Sequence, residues 1–231
     1  MAFPSAGAPV QTQFASSVTS MAVNMPATVN AGDLLIALVE VRNAGTWTKP
    51  SGWEDIATLS QTGGGGGVGK LNGFYKIALG TEAGTTPTFT ASVGTTGIWQ
   101  VIRVTSWHGT TPPEATTISG DSSAADPPNL APSFASEDIL WIVVAGHAAI
   151  SAAAFTAAPT NYTGFQNNGA SSGGAAVSIA TATRQLNAAS ENPGTFTAGG
   201  SNRFWASATI AIRPSAGGGS VVIYRRMFVV S

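Results

Sequence analysis

The chain has no cysteine in its 231 residues, which excludes disulfides, thiolate nucleophiles and cysteine-ligated metals. Charge is scarce. Charged residues make up 9%, against about a quarter in ordinary soluble domains. With 10 Lys+Arg against 11 Asp+Glu, the net charge of −1 supplies no basic field, so no nucleic-acid partner is expected. Long apolar runs are missing as well. Leu34–Val39 and Ile139–Gly146 are far too short to span a bilayer, so no membrane partner is expected. The start, Met1-Ala2-Phe3-Pro4-Ser5, lacks the positive region and continuous apolar stretch of a secretory signal.

What is present is an ordinary apolar share, 43%, beside Thr, Ser, Ala, Asn and Gly in the polar positions. Such a neutral, weakly repelling surface suits a protein packed against neighbours. The local period is two. Ile98, Gln100, Ile102 and Val104 alternate with Trp99, Val101, Arg103 and Thr105. Phe204, Ala206, Ala208, Ile210 and Ile212 share one face of a later run. Val, Ile, Thr and aromatics fill these runs, and Gly, Pro, Asn and Ser punctuate them. The pattern predicts an all-β, jelly-roll-like sandwich of about eight to ten strands.

The strongest internal signal is a repeat. Gly32-Asp33-Leu34-Leu35-Ile36-Ala37-Leu38-Val39 is echoed by Glu137-Asp138-Ile139-Leu140-Trp141-Ile142-Val143-Val144. Each is followed by a Pro-x-x-aromatic turn, Pro50–Trp53 and Pro159–Tyr162, then by a Gly-rich loop, Gly63–Gly67 and Gly169–Gly174. Strands Gly73–Leu79 and Ala176–Arg184 come next, then Pro87–Ala91 and Gly194–Ala198. Ile98–Trp107 and Phe204–Arg213 close the two series. Chance does not readily supply this shared order. Residues 1–213 therefore read as a duplicated sandwich with halves at about 10–108 and 114–213, joined by a Pro- and Ser-rich linker around Gly109–Pro132. A half-sheet with one greasy face needs a partner sheet, so the halves are expected to share a core.

Residues 214–231 differ in character. Ser215–Ser220 is a Gly-rich linker. It leads into a strand former: Val221, Val222, Ile223, Tyr224, Arg225, Arg226, Met227, Phe228, Val229 and Val230, then Ser231. Ordering these eleven residues costs about 11–22 kcal/mol, and burying seven apolar side chains returns roughly 10–21 kcal/mol. The terms nearly cancel, so the segment needs partners on both faces and along its hydrogen-bond ladder. Adding a strand to a sheet edge provides them, which makes the segment a candidate assembly arm.

Residues with chemistry are sparse. His108 and His147 stand at the ends of neighbouring runs, but no His-x-His or His-Glu-x-x-His spacing accompanies them. Turn histidines with local hydrogen bonds are the simpler reading. Asp33 and Glu137-Asp138 begin strands, which is turn chemistry rather than a catalytic carboxylate pair. Gly63–Gly67 lacks the Gly-Lys-Ser/Thr ending of a phosphate loop, and no Gly-x-Ser-x-Gly elbow occurs. No catalytic residue, cofactor or metal site is therefore expected. Trp53, Trp99 and Trp205 recur in the repeat and read as core, while Trp47 is the candidate ligand-facing aromatic for a glycan.

The set Gly32–Ile36, Pro50–Trp53, Phe74-Tyr75-Lys76-Ile77-Ala78 and Thr88-Phe89-Thr90 resembles jelly-roll-like structural proteins of tailed bacteriophages and prophages. The likeness covers about residues 10–213. It implies a location in the virion, no cofactor, no catalytic residues, and partners among other virion proteins and further copies of the chain. The expected role is a non-enzymatic structural protein: capsid decoration, neck or tail-associated. The alternative is a sandwich that binds a carbohydrate or a host receptor.

Overall fold

The computed structural model describes residues 2–43, 45–62, 69–121, 124–149, 155–172, 175–199 and 204–216. The arm residues Val221 to Val230 and the Gly63–Gly67 loop lie outside the described residues. Among the described residues there are strands and no helix. The first stretch holds β1 (Ser5–Ala6), β2 (Val10–Ala22), β3 (Leu34–Val41), β4 (Trp47–Thr48), β5 (Glu54–Thr62), β6 (Lys70–Ile77) and β7 (Thr88–Thr105). The second holds β8 (Glu114–Gly120), β9 (Ala124–Ala125), β10 (Glu137–Ala149), β11 (Phe155–Ala157), β12 (Thr163–Ser172), β13 (Ala175–Ala188), β14 (Phe196–Ala198) and β15 (Trp205–Ile212).

These strands form an antiparallel sandwich. The first sheet runs β5-β6-β3-β7-β1, with β2 and β4 also on β7. The second runs β12-β13-β10-β15-β8. A small sheet, β11-β14-β9, forms a separate ladder that packs on the second sheet. The edges approach in a reciprocal way, with β5 beside β8 and β12 beside β2.

Three apolar layers explain why the central strands are greasy on both faces. Between the sheets, Leu34, Ile36, Leu38, Ile98, Ile102 and Val104 meet Leu140, Ile142, Val144, Ile179, Ile210 and Ile212. Behind the first sheet, Leu35, Ala37, Val39 and Val101 pack with Trp53, Phe74, Phe89 and Trp99. Behind the second, Ile139, Trp141 and Val143 pack with Phe155, Tyr162, Phe196 and Trp205. Each fully buried Leu, Ile or Phe contributes about 1.5–3 kcal/mol, so loss of any layer outweighs the stability of a typical domain. The predicted alternation on β7 and, from Ala206 to Ile212, on β15 is present, as is the shared interior, whereas Phe204 precedes β15 in a left-handed conformation and is not part of that face. The predicted core tryptophans Trp53, Trp99 and Trp205 are all buried.

Several expectations are corrected. A jelly roll winds its chain between its two sheets. Here the first sheet is drawn from residues 5–105 and the second from strands within residues 114–212, and most sheet neighbours, such as β3 with β7 or β10 with β15, are not consecutive along the chain. The Gly109–Pro132 linker contains β8 and β9, and β8 pairs with β15 over its whole length. Gly169–Ser172 of the second Gly-rich loop belong to β12, paired with β13.

The matched pair of central strands also shifts by one residue. Setting Leu34 beside Ile139 would place opposite faces together, because Leu34 points into the shared core and Ile139 away from it. Faces agree when Leu35 is set beside Ile139, and Asp33 then falls beside Glu137. A one-residue slip exchanges the faces of a strand. A strand buried on both faces gives no alternation from which to read that register.

Candidate functional site at the end of the last strand

A polar cluster gathers where the chain leaves β15. Arg213 directly follows β15 and Glu137 opens β10, so the antiparallel pairing of these strands brings the two ends together. The guanidinium grips the carboxylate in two bonds, Nε to Oε2 at 2.9 Å and Nη2 to Oε1 at 2.7 Å. It also lies over the Phe134 ring, 5.8 Å from its centroid. The Arg213 hydrogen bonds hold the Glu137 carboxyl below the usual range, against a smaller opposing effect of burial.

The backbone is pinned at the same place. Trp107 and Pro214 form a β-bridge. The His108 N–H donates to the Arg213 carbonyl, and the Ser215 N–H donates to the Ser106 carbonyl, each at 3.0 Å. Trp107 is buried in the shared core and donates its indole N–H to the Gly32 carbonyl at 2.8 Å. Ser106 adopts a left-handed backbone, φ 57°, which turns the chain so that Trp107 faces inward. Residues 213–215 are thus fixed to the sandwich by backbone contacts to Ser106, Trp107 and His108.

The structure separates the two histidines. His108 belongs to the Arg213 cluster, where its Nδ1 lies 2.8 Å from the Thr111 hydroxyl and its Nε2 lies 3.4 Å from Arg213. This is the expected turn histidine. His147 pairs with Trp205 at the far end of the second sheet. Ten residues of β10 separate it from Glu137, roughly 30 Å at the strand rise. No group of three or more His, Cys, Asp or Glu residues that could hold a metal occurs among the described residues.

The carboxylates at strand starts act as expected of turn residues. Asp33 accepts from the Asn30 N–H at 2.7 Å and from Arg103 Nε at 2.5 Å. Asp138 accepts from Asn187 at 2.8 Å.

Trp47 is half-buried rather than displayed. It stands edge-on to Trp99 at 5.2 Å and to Phe74 at 6.1 Å, a packing geometry worth about 0.5–1.5 kcal/mol per pair. The other five tryptophans are buried, so no tryptophan row faces solvent among the described residues. A small groove of about 160 Å³, lined in part by Ala6, Pro9, Gln166 and Thr181, opens where the N-terminal segment crosses to the second sheet.

Three features escaped the sequence reading. Arg213 and Glu137 are far apart along the chain, and the charge complementarity at the ends of two paired strands was the available signal. Gln100 accepts a hydrogen bond from the Thr181 hydroxyl across the shared core at 2.6 Å, and its polar place in an apolar face marked it. Glu40 is the charged residue on the inward face of β3. Comparison with protein-family models, curated proteins and solved structures finds no match.

Proposed function

We propose that this protein is a non-enzymatic structural component of a tailed-phage virion, built as a duplicated sandwich and assembled through the arm Val221–Val230. Capsid decoration, neck and tail-associated positions all fit this reading. Its partners are other virion proteins and further copies of itself. The observation that carries it is the fixed root at Arg213–Ser215, followed in the sequence by a short Gly-rich stretch and then an apolar strand former. A firmly held root lowers the conformational freedom lost when the arm adds to a neighbouring sheet edge.

The duplication is supported by the common strand order, β5-β6-β3-β7 against β12-β13-β10-β15. It is supported again by ion pairs at corresponding places, Asp33–Arg103 and Glu137–Arg213. The sparse charge adds a surface that tolerates close packing.

A chain ending at Ala216 tests the arm. It should melt at the same temperature as the full chain but fail to enter particles or higher assemblies. Assembly of the shortened chain at the full-length level would overturn the role of the arm. Mass spectrometry of purified particles then places the protein: hundreds of copies indicate decoration, and a handful indicate the neck or tail. Absence from the particles would overturn the virion reading itself.

A further inference from the structure

The shared core contains one carboxyl that its surroundings do not answer. Glu40 lies near the end of β3 and has no exposed surface. Leu34, Ile36 and Leu38 precede it on the same face, so strand alternation points Glu40 between the sheets. Its ladder neighbours are Leu71 on β6 and Ile98 on β7, both apolar members of that core. Across the core it presses on β10 so closely that a methyl group on Gly146 would overlap the carboxyl. A methyl on Gly69 would overlap both Glu40 and Ala148. Two glycines therefore make the space that the carboxyl fills. Neither carboxyl oxygen has a hydrogen-bond partner among the described residues.

Among the described residues, the elements packed around Glu40 bring no hydrogen-bond partner or countercharge to its carboxyl, and Arg42, two residues further along the chain, makes no bond to it. Leu71 and Ile98 flank it, and Gly69, Gly146 and Ala148 face it. His147 lies between Gly146 and Ala148, but on the other face of β10, opposite Trp205. Lys70 sends its ammonium to the Gly45 carbonyl at 3.2 Å. Gln100, a diagonal neighbour on β7, is neutral and bonded to Thr181. Burial alone holds the Glu40 pKa well above the carboxylate range, with no neighbouring charge contributing. An ionised carboxylate without partners cannot be held in an apolar interior, so the native state keeps the proton.

We propose that Glu40 is a proton-operated latch between the two sheets: neutral, it lies against Gly146 and Gly69 and lets them close; ionised, it draws in water and parts them. The latch sits at the Val41 end of β3 and the Gly146 end of β10. Trp107 and Pro214 hold the opposite end. Opening is therefore a splaying of one end about the other, and it uncovers inward faces of both sheets. The proposal does not depend on the virion reading.

The direction with pH follows from the raised folded pKa. Closure is complete below the ordinary Glu pKa, where folded and open forms both carry the proton. It weakens as pH rises from there toward the folded value, by up to about tenfold per pH unit for one proton.

Hydrogen exchange read by mass spectrometry across pH, corrected for intrinsic rates, tests this on the full chain and on Glu40→Gln. In the unsubstituted chain, opening at Val39–Val41 and Ala145–Ala148 should grow about tenfold per pH unit above the ordinary Glu pKa. In Glu40→Gln it should stay flat, while the Asp33 and Glu137 ends stay closed in both. Equal pH slopes in the two proteins would overturn the latch, as would opening spread evenly over all strands. Should Glu40→Gln fail to fold, a ¹³C-carboxyl titration of the unsubstituted chain decides. A Glu carboxyl that keeps its proton through neutral pH supports the latch. Carboxylates ionised throughout that range overturn it.

Discussion

The first and second sheets share a frame and differ in how they are covered. Each begins its central strand with an acid held by an arginine from the paired strand, Asp33 by Arg103 at 2.5 Å and Glu137 by Arg213 at 2.7 Å. Each has a second pair beyond, Lys76 with Glu82 at 3.0 Å and Arg184 with Glu191 at 2.7 Å. Each makes the same turn, in which the Trp53 N–H donates to the Pro50 carbonyl and the Tyr162 N–H to the Pro159 carbonyl, both at 3.2 Å.

The covers are built differently. Over the first sheet, the 18-residue β7 continues past the main ladder to pair with β4 and the end of β2. Over the second, the corresponding cover is the separate sheet β11-β14-β9. Hydroxyls tie the 126–128 segment to β15, Ser207 to the Asp126 carbonyl at 3.0 Å and Thr209 to the Pro128 carbonyl at 2.6 Å. Strand ends and turns set the frame, and the outer layer varies as long as it buries the aromatic rings.

The contrast in covers can be broken most strongly at its tryptophans. Trp99 touches Trp47, Phe74 and Phe89, whereas Trp141 is held through its indole N–H to the Leu186 carbonyl at 3.1 Å. Trp99→Ala and Trp141→Ala should each cost about 3–5 kcal/mol in denaturant unfolding, with Trp99→Ala the larger. A larger loss at Trp141 would show that the continuous cover carries no extra weight.

Next in size is the acid limb of stability. The Arg213 hydrogen bonds hold Glu137 below its ordinary pKa, so their contribution is present above that ordinary value and is lost as pH falls through the lowered one. Arg213→Gln should raise the pH of acid unfolding, followed by melting temperature across an acid series. An unchanged acid limb would remove Glu137 from the clamp.

The smallest effects sharpen the comparison of turns. Gly52 and Asn161 occupy the same turn position, with φ of 79° and 69°. Gly52→Ala should cost about 1–2 kcal/mol, because the left-handed backbone strains a β-carbon. Asn161→Gly should change stability by less than about 1 kcal/mol, because asparagine tolerates this region. Thermal melts of the two variants give the difference directly. Equal effects would mean that the two turns do not correspond.

Much of this frame was legible in the sequence. Period-two alternation in Ile98–Thr105, the Pro-x-x-aromatic turns and the recurring tryptophans each have a local physical cause, and each is present. The inward register of β3 and β10 was not legible, because strands buried on both faces show no alternation. Nor was the backbone contact that joins Ser106 to Ser215 across more than a hundred residues of chain. Glu40 was hidden by its apolar neighbours, since a single charge in a strand gives no spacing to recognise.

Whether the two sheets close one core is tested most directly by native-state hydrogen exchange across a denaturant series. The slowest amides of β3 and β10 should converge on one opening free energy with one denaturant slope, because neither inward face can stay dry alone. Slow amides of β10 that open well below those of β3, with a smaller slope, would show two independent units and contradict the shared interior.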